Sequence, residues 1–81
     1  MIDLSVTRGV WVDVTLRKPT RKRQLEMDII AHDFLCWSLN TDTMPLARGH
    51  SGPLGFSNLY TPRDARKVLA WLAKRGVTPN A

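Results

Sequence analysis

The sequence predicts an α+β fold, in which a small antiparallel sheet of three to four strands carries one C-terminal α-helix in the order β-β-β(-β)-α. Two observations predict this class. Apolar and polar residues alternate through the first part of the chain, as they do in half-buried strands. A capped pattern with helical periodicity closes the chain. The chain has 81 residues, of which 43% are hydrophobic. We therefore expect residues 1–81 to form a single small domain.

The first two strands are predicted from even-numbered apolar residues between Ile2 and Leu16, where odd positions are mostly polar. A three-residue loop over residues 7–9 would pair Val6 with Val10 and keep both apolar sets on one face. Gly9 would then occupy the loop position that needs a positive φ. A single long strand bent at Gly9 satisfies the same alternation, because glycine also marks bulges. We favour the hairpin.

The alternation continues over residues 24–31 with apolar residues at odd positions, which predicts a third strand. A four-residue loop over residues 19–22 would pair Leu16 with Leu25 and keep the apolar faces matched. A further short strand is predicted over residues 34–39.

Residues 40–59 are predicted to form an irregular loop, because three glycines, two prolines and scattered hydroxyl side chains interrupt any periodicity. Loops of this length are unusual in small domains. We therefore expect Leu54, Phe56 and Leu59 to be held on the core, with a short strand around residues 55–59 as an option.

A helix is predicted over about residues 62–75. Thr61 is the expected N-cap, Pro62 suits the first helical position, and Gly76 is the expected terminator. Lys74 and Arg75 fall in the last turn, where cations are favoured. One face of this helix should pack against the even-numbered residues of the first strands through Ala65, Val68, Leu69 and Leu72.

The predicted order of three strands followed by a helix is similar to the C-terminal part of double-stranded-RNA-binding domains. The chain lacks the leading helix of that family, and the family's basic helix-start motif does not occur at residues 62–67. No function is therefore taken from this resemblance.

The charge indicates the kind of partner. Twelve Lys and Arg residues against seven Asp and Glu residues give a net charge of +5 at pH 7. This excess favours an anionic macromolecule, which is DNA or RNA or an acidic protein surface. The cations cluster at the predicted hairpin tip and on the exposed face of the predicted helix, where they could contact phosphates. The same charges on a solvated loop would only discourage edge pairing. The candidate binding residues are Arg17, Lys18, Arg21, Lys22 and Arg23 at the tip and Arg63, Arg66, Lys67 and Lys74 on the helix.

Trp11 completes the candidate binding set. It lies on the polar face of the predicted sheet, where the long loop would cover it or it would be an exposed contact anchor. The carboxylates expected on the same face can bind a divalent ion or share a proton, although a solvated acidic face is far more common. They are Asp3, Asp13, Glu26 and Asp28.

Neither catalysis nor a metal site is expected. The single cysteine, Cys36, excludes an internal disulfide and is predicted to be a small buried apolar residue. His32 and His50 lack the spacing of a metal site. No catalytic residues, cofactor or metal are therefore predicted.

The sequence thus predicts a small, basic, non-enzymatic binding module that associates with nucleic acid or a nucleoprotein complex. The alternative is a protein-binding regulator or inhibitor, of the kind that mobile genetic elements or phages encode, which docks on an acidic protein surface. No apolar run is long enough for a membrane span and no secretory signal is visible, so we expect a cytoplasmic protein without membrane contact. The sequence leaves the oligomeric state open.

Overall fold

The fold alternates two β-hairpins with two helices. The computed structural model describes residues 2–79. Its four strands form one antiparallel sheet in the spatial order β1-β2-β4-β3, so the α+β class is confirmed at this level. The elements in chain order are β1 (Ile2–Thr7), β2 (Trp11–Leu16), α1 (Arg21–Asn40), β3 (Ala47–Gly52), β4 (Gly55–Leu59) and α2 (Pro62–Lys74).

The first hairpin forms as predicted, but its register differs. Val6 lies opposite Val12, so the loop comprises residues 8–10 and the predicted pairing of Val6 with Val10 is wrong. Gly9 has the expected positive φ of 73°, and Arg8 has a φ of 55°. A shift by two residues leaves the facing of each side chain unchanged, because the side-chain period of a strand is two.

One helix, α1, replaces the two strands that were predicted over residues 24–31 and 34–39. Thr20 begins it as the N-cap, because its Oγ1 accepts a hydrogen bond from the Arg23 N–H at 3.3 Å. The residues that follow are mostly strong helix formers, including Arg, Lys, Gln, Leu, Glu and Met. Since α1 separates the two hairpins, the predicted element order and its similarity to double-stranded-RNA-binding domains are also wrong.

The predicted irregular loop over residues 40–59 contains the second hairpin. A two-residue turn at Pro53 and Leu54 joins β3 to β4, since Gly52 lies opposite Gly55. The optional strand over residues 55–59 is therefore confirmed as β4. Phe56 is buried as expected, but Leu54 is exposed and does not lie on the core.

Gly55 explains why β4 can lie beside β2. Its φ is 144°, and a Cβ at this position would overlap the backbone carbonyl of Val14 on β2. Only glycine meets both requirements, because it tolerates positive φ and lets two backbones approach closely. This pairing leaves β3 at one edge of the sheet and β1 at the other.

Helix α2 forms as predicted. Thr61 Oγ1 accepts a hydrogen bond from the Asp64 N–H at 3.2 Å, and Gly76 follows the helix with a φ of 80°. The predicted apolar residues are buried, with the exception of Leu69, which is half-buried. Trp71, on the edge of that face, is buried instead.

The core lies between the two helices and one face of the sheet. Phe34 of α1 stacks on Phe56 of β4 with ring centroids 4.9 Å apart, and it meets the edge of Trp71 of α2 at 5.5 Å. Trp37 stacks on Trp71 at 5.7 Å. These contacts place both helices on the same sheet face, and the opposite face carries neither.

Candidate nucleic-acid interface

The cations predicted at a hairpin tip lie elsewhere in the fold. The loop after β2 holds two of them, and the first turn of α1 holds the other three, because Thr20 starts a helix where a turn was expected. The predicted mobile hairpin tip is therefore wrong, although the cations remain neighbours in the chain and are all exposed. We call residues 17–23 the basic turn. Its cations are Arg17, Lys18, Arg21, Lys22 and Arg23.

Arg17 connects the basic turn to the sheet through a hydrogen-bonded ion pair. Its Nε donates a hydrogen bond to Asp3 Oδ2 at 2.6 Å, and the two groups form an ion pair between β1 and the end of β2. The Asp3 side chain is 17% exposed. Since this carboxylate offsets its charge, Arg17 contributes less to the outward field than its neighbours do.

The other four cations of the basic turn have no carboxylate within 4 Å in the part of the chain that the structure describes. Arg21, Lys22 and Arg23 also lie at the start of α1, and the first turn contains no acidic residue. A helix N-terminus carries a partial positive charge, so cations there are disfavoured by about 0.3–1 kcal/mol each. The basic turn thus concentrates positive charge at the end of the helix where it stabilises least.

Hydrogen bonds hold the basic turn against the β3–β4 turn. Gln24 Nε2 donates to the carbonyl of Pro53 and, at 3.1 Å, to Asp28 Oδ1. The Leu16 N–H donates to the Leu54 carbonyl at 2.7 Å. The cations of the helix start therefore project from a backbone that is fixed on both sides.

The basic face of α2 is separate from the basic turn. Lys67 Nζ donates to the buried Thr43 Oγ1 at 2.8 Å, just beyond the end of α1, which places the first half of α2 beside that end. Arg63 and Arg66 are exposed near the start of α2, far along α1 from the basic turn. Lys74 is exposed at the opposite end of α2. The structure does not bring the predicted residues together as one surface.

Arg75 is a cation that the sequence indicated only as a helix-end residue. It lies 4.7 Å over the Trp71 ring and 3.3 Å from Asp33 Oδ2. It also shares with Arg23 the wall of a groove of about 470 Å³ between the start of α1 and the end of α2. The groove brings one cation of the basic turn to the end of α2, where Lys74 also lies.

Trp11 lies half-buried on the sheet face that carries no helix. It is opposite Leu59 of β4, and a Cβ on Gly49 of β3 would come within 2.8 Å of its ring atom Cζ2. The segment that was predicted as a loop thus covers one side of the indole, as a strand, and leaves the rest exposed.

The predicted acidic face is wrong, because two of its four carboxylates belong to α1. On the open face, Asp13 Oδ1 lies 3.6 Å from His50 Nε2 and accepts a hydrogen bond from Thr15 at 2.9 Å. Within residues 2–79, no three His, Cys, Asp or Glu side chains are grouped so that they could hold a metal ion. Cys36 is exposed, which contradicts its predicted burial.

A second groove, of about 360 Å³, lies between α1 and the edge strand β3. Its lining includes Arg48 and the buried residues Ser38, Asn58 and Tyr60. Asn58 Nδ2 donates to the Tyr60 hydroxyl at 3.2 Å, and burial raises the pKa of Tyr60 above its ordinary value of 10.0. The sequence predicted neither α1 nor β3, and this groove between them therefore had no signal in the sequence.

Comparisons with family models, curated proteins and solved structures find no match to this chain. Among the described residues, neither helix combines the length and the apolar composition that a membrane crossing requires.

Proposed function

We propose that this chain is a small non-enzymatic module that binds nucleic acid, alone or in a nucleoprotein complex, through the basic turn. One observation carries the proposal. Lys18, Arg21, Lys22 and Arg23 are exposed within six residues, and no described carboxylate lies within salt-bridge distance of them. Cations that a fold needs for its own stability are usually placed beside acidic groups or at helix C-termini.

Phosphate groups are the ligands that best suit the basic turn. Lys and Arg neutralise phosphates and release the counterions that surround a duplex, which gives affinity without sequence preference. The N–H groups of Arg21 and Lys22 are among the first of the helix and have no intrahelical acceptor, so they can also donate to a phosphate oxygen. Arg63, Arg66, Lys67 and Lys74 of α2 would add weaker contacts, and Lys67 the least because it already bonds Thr43.

The test replaces Arg21, Lys22 and Arg23 by Glu and measures binding to a short duplex DNA of mixed sequence by fluorescence anisotropy at two salt concentrations. The wild type should bind, and its affinity should fall as salt is added. For each phosphate that the protein neutralises, the logarithm of the association constant should fall by about 0.9 for each tenfold rise in salt concentration. The triple variant should lose this binding and keep its circular dichroism spectrum. Triple-variant affinity equal to that of the wild type would overturn the proposal.

Arg8→Glu is the matched control for charge. Arg8 is exposed in the β1–β2 turn, at the opposite end of β2 from the basic turn. This substitution changes the net charge by the same amount as each single reversal in the basic turn. If only the total charge governs binding, Arg8→Glu will weaken affinity as much as Arg21→Glu does.

The alternative is a protein-binding regulator or inhibitor that docks on an acidic protein surface. The open sheet face favours it, because Trp11 keeps part of its indole exposed there, and tryptophan is enriched at binding hot spots. Trp11→Ala and the triple charge variant should be compared against the same partner at two salt concentrations. Loss of binding in both variants with a shallow salt dependence favours the protein partner. Loss only in the charge variant with a steep dependence favours nucleic acid, and no loss in either would defeat both proposals.

A further inference from the structure

The outward face of α1 carries a regularly spaced stripe of mostly apolar residues, interrupted by Lys22 and His32. Six residues recur along it in alternating steps of three and four, and all of them are exposed. The large apolar members remain 59–62% exposed, which is unusual for leucine and isoleucine on a helix whose other face is buried. We call these residues the seam, and they are Lys22, Leu25, Ile29, His32, Cys36 and Leu39.

The spacing of the seam is that of a coiled coil. Steps of three and four give one contact every 3.5 residues, which keeps a stripe facing a partner helix. In heptad notation Lys22, Ile29 and Cys36 occupy position a, and Leu25, His32 and Leu39 occupy position d. Four of these six positions carry apolar residues, which are Leu25, Ile29, Cys36 and Leu39. Leu35, at the flanking position g, is 52% exposed and widens the apolar surface.

We propose that a second copy of this chain covers the seam and that the two α1 helices run antiparallel. In an antiparallel pair, position a of one helix meets position d of the other. Full overlap of the 20-residue helix places Leu25 opposite the partner's Cys36 and Ile29 opposite the partner's His32. The arrangement that overlaps the helices completely is therefore also the one that aligns the seam.

Charge complementarity selects the antiparallel orientation. A parallel pair would place the two basic turns side by side and align both helix dipoles. In the antiparallel pair, Arg21 lies beside the C-terminal end of the partner's α1, where cations are favoured. The last turn of α1 contains no basic residue, so Arg21 meets no cation of the partner there.

Two contacts in this arrangement are unfavourable, and the first places the Lys22 ammonium opposite the partner's Leu39. Glu26 would lie near the partner's Asp33, since both occupy position e. The charge of Asp33 is already offset by Arg75 of its own chain, at 3.3 Å. The repulsion between Glu26 and the partner's Asp33 is therefore weaker than the repulsion between two basic turns in a parallel pair. In each basic turn, Arg21 and Lys22 have no carboxylate partner among the described residues.

The dimer would have a consequence for nucleic-acid binding, and that consequence rests on the proposed function. The two basic turns would lie at opposite ends of the helix pair, about 30 Å apart from a rise of 1.5 Å per residue. One turn of duplex DNA is about 34–36 Å. Lys18 lies outside the seam and Arg23 faces the groove beside α2, so both stay accessible in the dimer. Arg21 and Lys22 would lie against the partner copy, so each basic turn would then contact phosphates mainly through Lys18 and Arg23.

The experiment measures the oligomeric state of the full chain without nucleic acid, by sedimentation equilibrium from low micromolar to near-millimolar concentration. The wild type should form dimers that Ile29→Gln and Leu39→Gln shift to monomers. Leu46→Gln is the control, because Leu46 is 66% exposed but lies outside the seam. A monomeric wild type, or equal loss of dimer with Leu46→Gln, would overturn the proposal. The sedimentation experiment contains no nucleic acid, so its outcome decides the dimer alone and leaves the affinity for duplex DNA to its own test.

Disulfide cross-linking tests the orientation. In the antiparallel dimer the two Cys36 residues are 11 positions apart along the axis, or about 16 Å, which is too far for a disulfide. Mild oxidation should therefore cross-link Leu25→Cys, through Cys36, and leave the wild type and the Leu25→Cys/Cys36→Ser variant uncoupled. Efficient cross-linking of the wild type or of the double variant would show a parallel pair and overturn the antiparallel arrangement.

Discussion

The first turn of helix α2 contains one acidic and one basic residue, Asp64 and Arg63, and its last turn contains Lys74, whereas α1 begins with three basic residues and has none in its last turn. Asp64 and Lys74 thus complement the dipole of α2, and Arg21, Lys22 and Arg23 oppose that of α1. Both helices have a threonine N-cap, so the difference lies in the charges and not in the cap. The comparison indicates that the terminal charges of α2 serve the stability of the fold. The charges at the start of α1 reduce that stability and form a positively charged surface instead.

The faces of the two helices differ in the same way. The buried residues of α2 lie on one side, and its opposite side is exposed and largely charged. Helix α1 buries Met27 and Phe34 and exposes Leu25, Ile29 and Leu39 on its other side. An apolar face without a partner in its own fold is expected where another molecule binds.

The largest expected difference between the two helices is the change in unfolding free energy when one leucine of each is replaced by alanine. Leu72→Ala in α2 should cost about 2–5 kcal/mol of unfolding free energy, because this side chain is fully buried. Leu25→Ala in α1, at 59% exposure, should change it by no more than about 0.5 kcal/mol. Urea unfolding at low micromolar concentration, where a weak dimer is dissociated, measures both. Equal losses would mean that Leu25 is packed as tightly as Leu72 and that the outward face of α1 is not open.

The same contrast between packed and open positions occurs within β3. Gly49→Ala should cost about 1–3 kcal/mol, because the added Cβ would overlap Ser57 Oγ and press on the Trp11 ring. Gly52→Ala is the matched control, since nothing lies within 4 Å of its Cβ position. Thermal unfolding of both variants gives the comparison. If the control is destabilised as much as Gly49→Ala, packing on Trp11 is not the cause.

These elements also show what the sequence could predict. The signals for α2 are local: a cap, a proline, one apolar face and a glycine. The signals for α1 conflict, because apolar residues on both faces produce a period of two over residues 25–31, which imitates a strand. Strand β3 has only one small apolar residue, Ala47, and forms because β4 pairs with it. Because all six of its residues are exposed, β3 lacks the alternation of apolar and polar residues that would mark it as a strand.

For the candidate site, the sequence predicted the cluster of cations but not its place in the fold. The charges of residues 17–23 are a matter of composition, whereas their position depends on whether Thr20 begins a helix. The seam on α1 could not be recognised while residues 24–39 were assigned to strands. The spacing of 25, 29, 32, 36 and 39 is visible in the sequence once the segment is known to be helical.

Tyr60 directly precedes the N-cap of α2 and makes the stability of this region depend on pH. Burial is the main cause of its raised pKa, and Asp64 in the first turn of α2 adds to the rise. The folded state thus binds the hydroxyl proton more tightly than the unfolded state. This contribution to stability is complete below pH 10 and is lost as the pH rises through the folded pKa.

We therefore expect the wild type to lose more unfolding free energy between pH 8 and pH 11 than Tyr60→Phe does. At pH 8, the variant should be less stable by about 0.5–1.5 kcal/mol, because it lacks the hydrogen bond from Asn58. Urea unfolding at the two pH values measures both effects. Parallel losses in the two proteins would mean that other groups, such as lysines, account for the pH dependence.

The most direct test of the account is Arg21→Glu, with unfolding free energy and affinity for duplex DNA measured on the same preparation at low micromolar concentration. The variant should be more stable by about 0.3–1 kcal/mol, since an acid at the start of α1 complements the dipole. It should also bind DNA more weakly, with a salt slope smaller by about 0.9. Arg8→Glu should leave both quantities close to those of the wild type. An Arg21→Glu variant that binds like the wild type, or that is less stable, would contradict the claim that α1 carries its basic start for a partner.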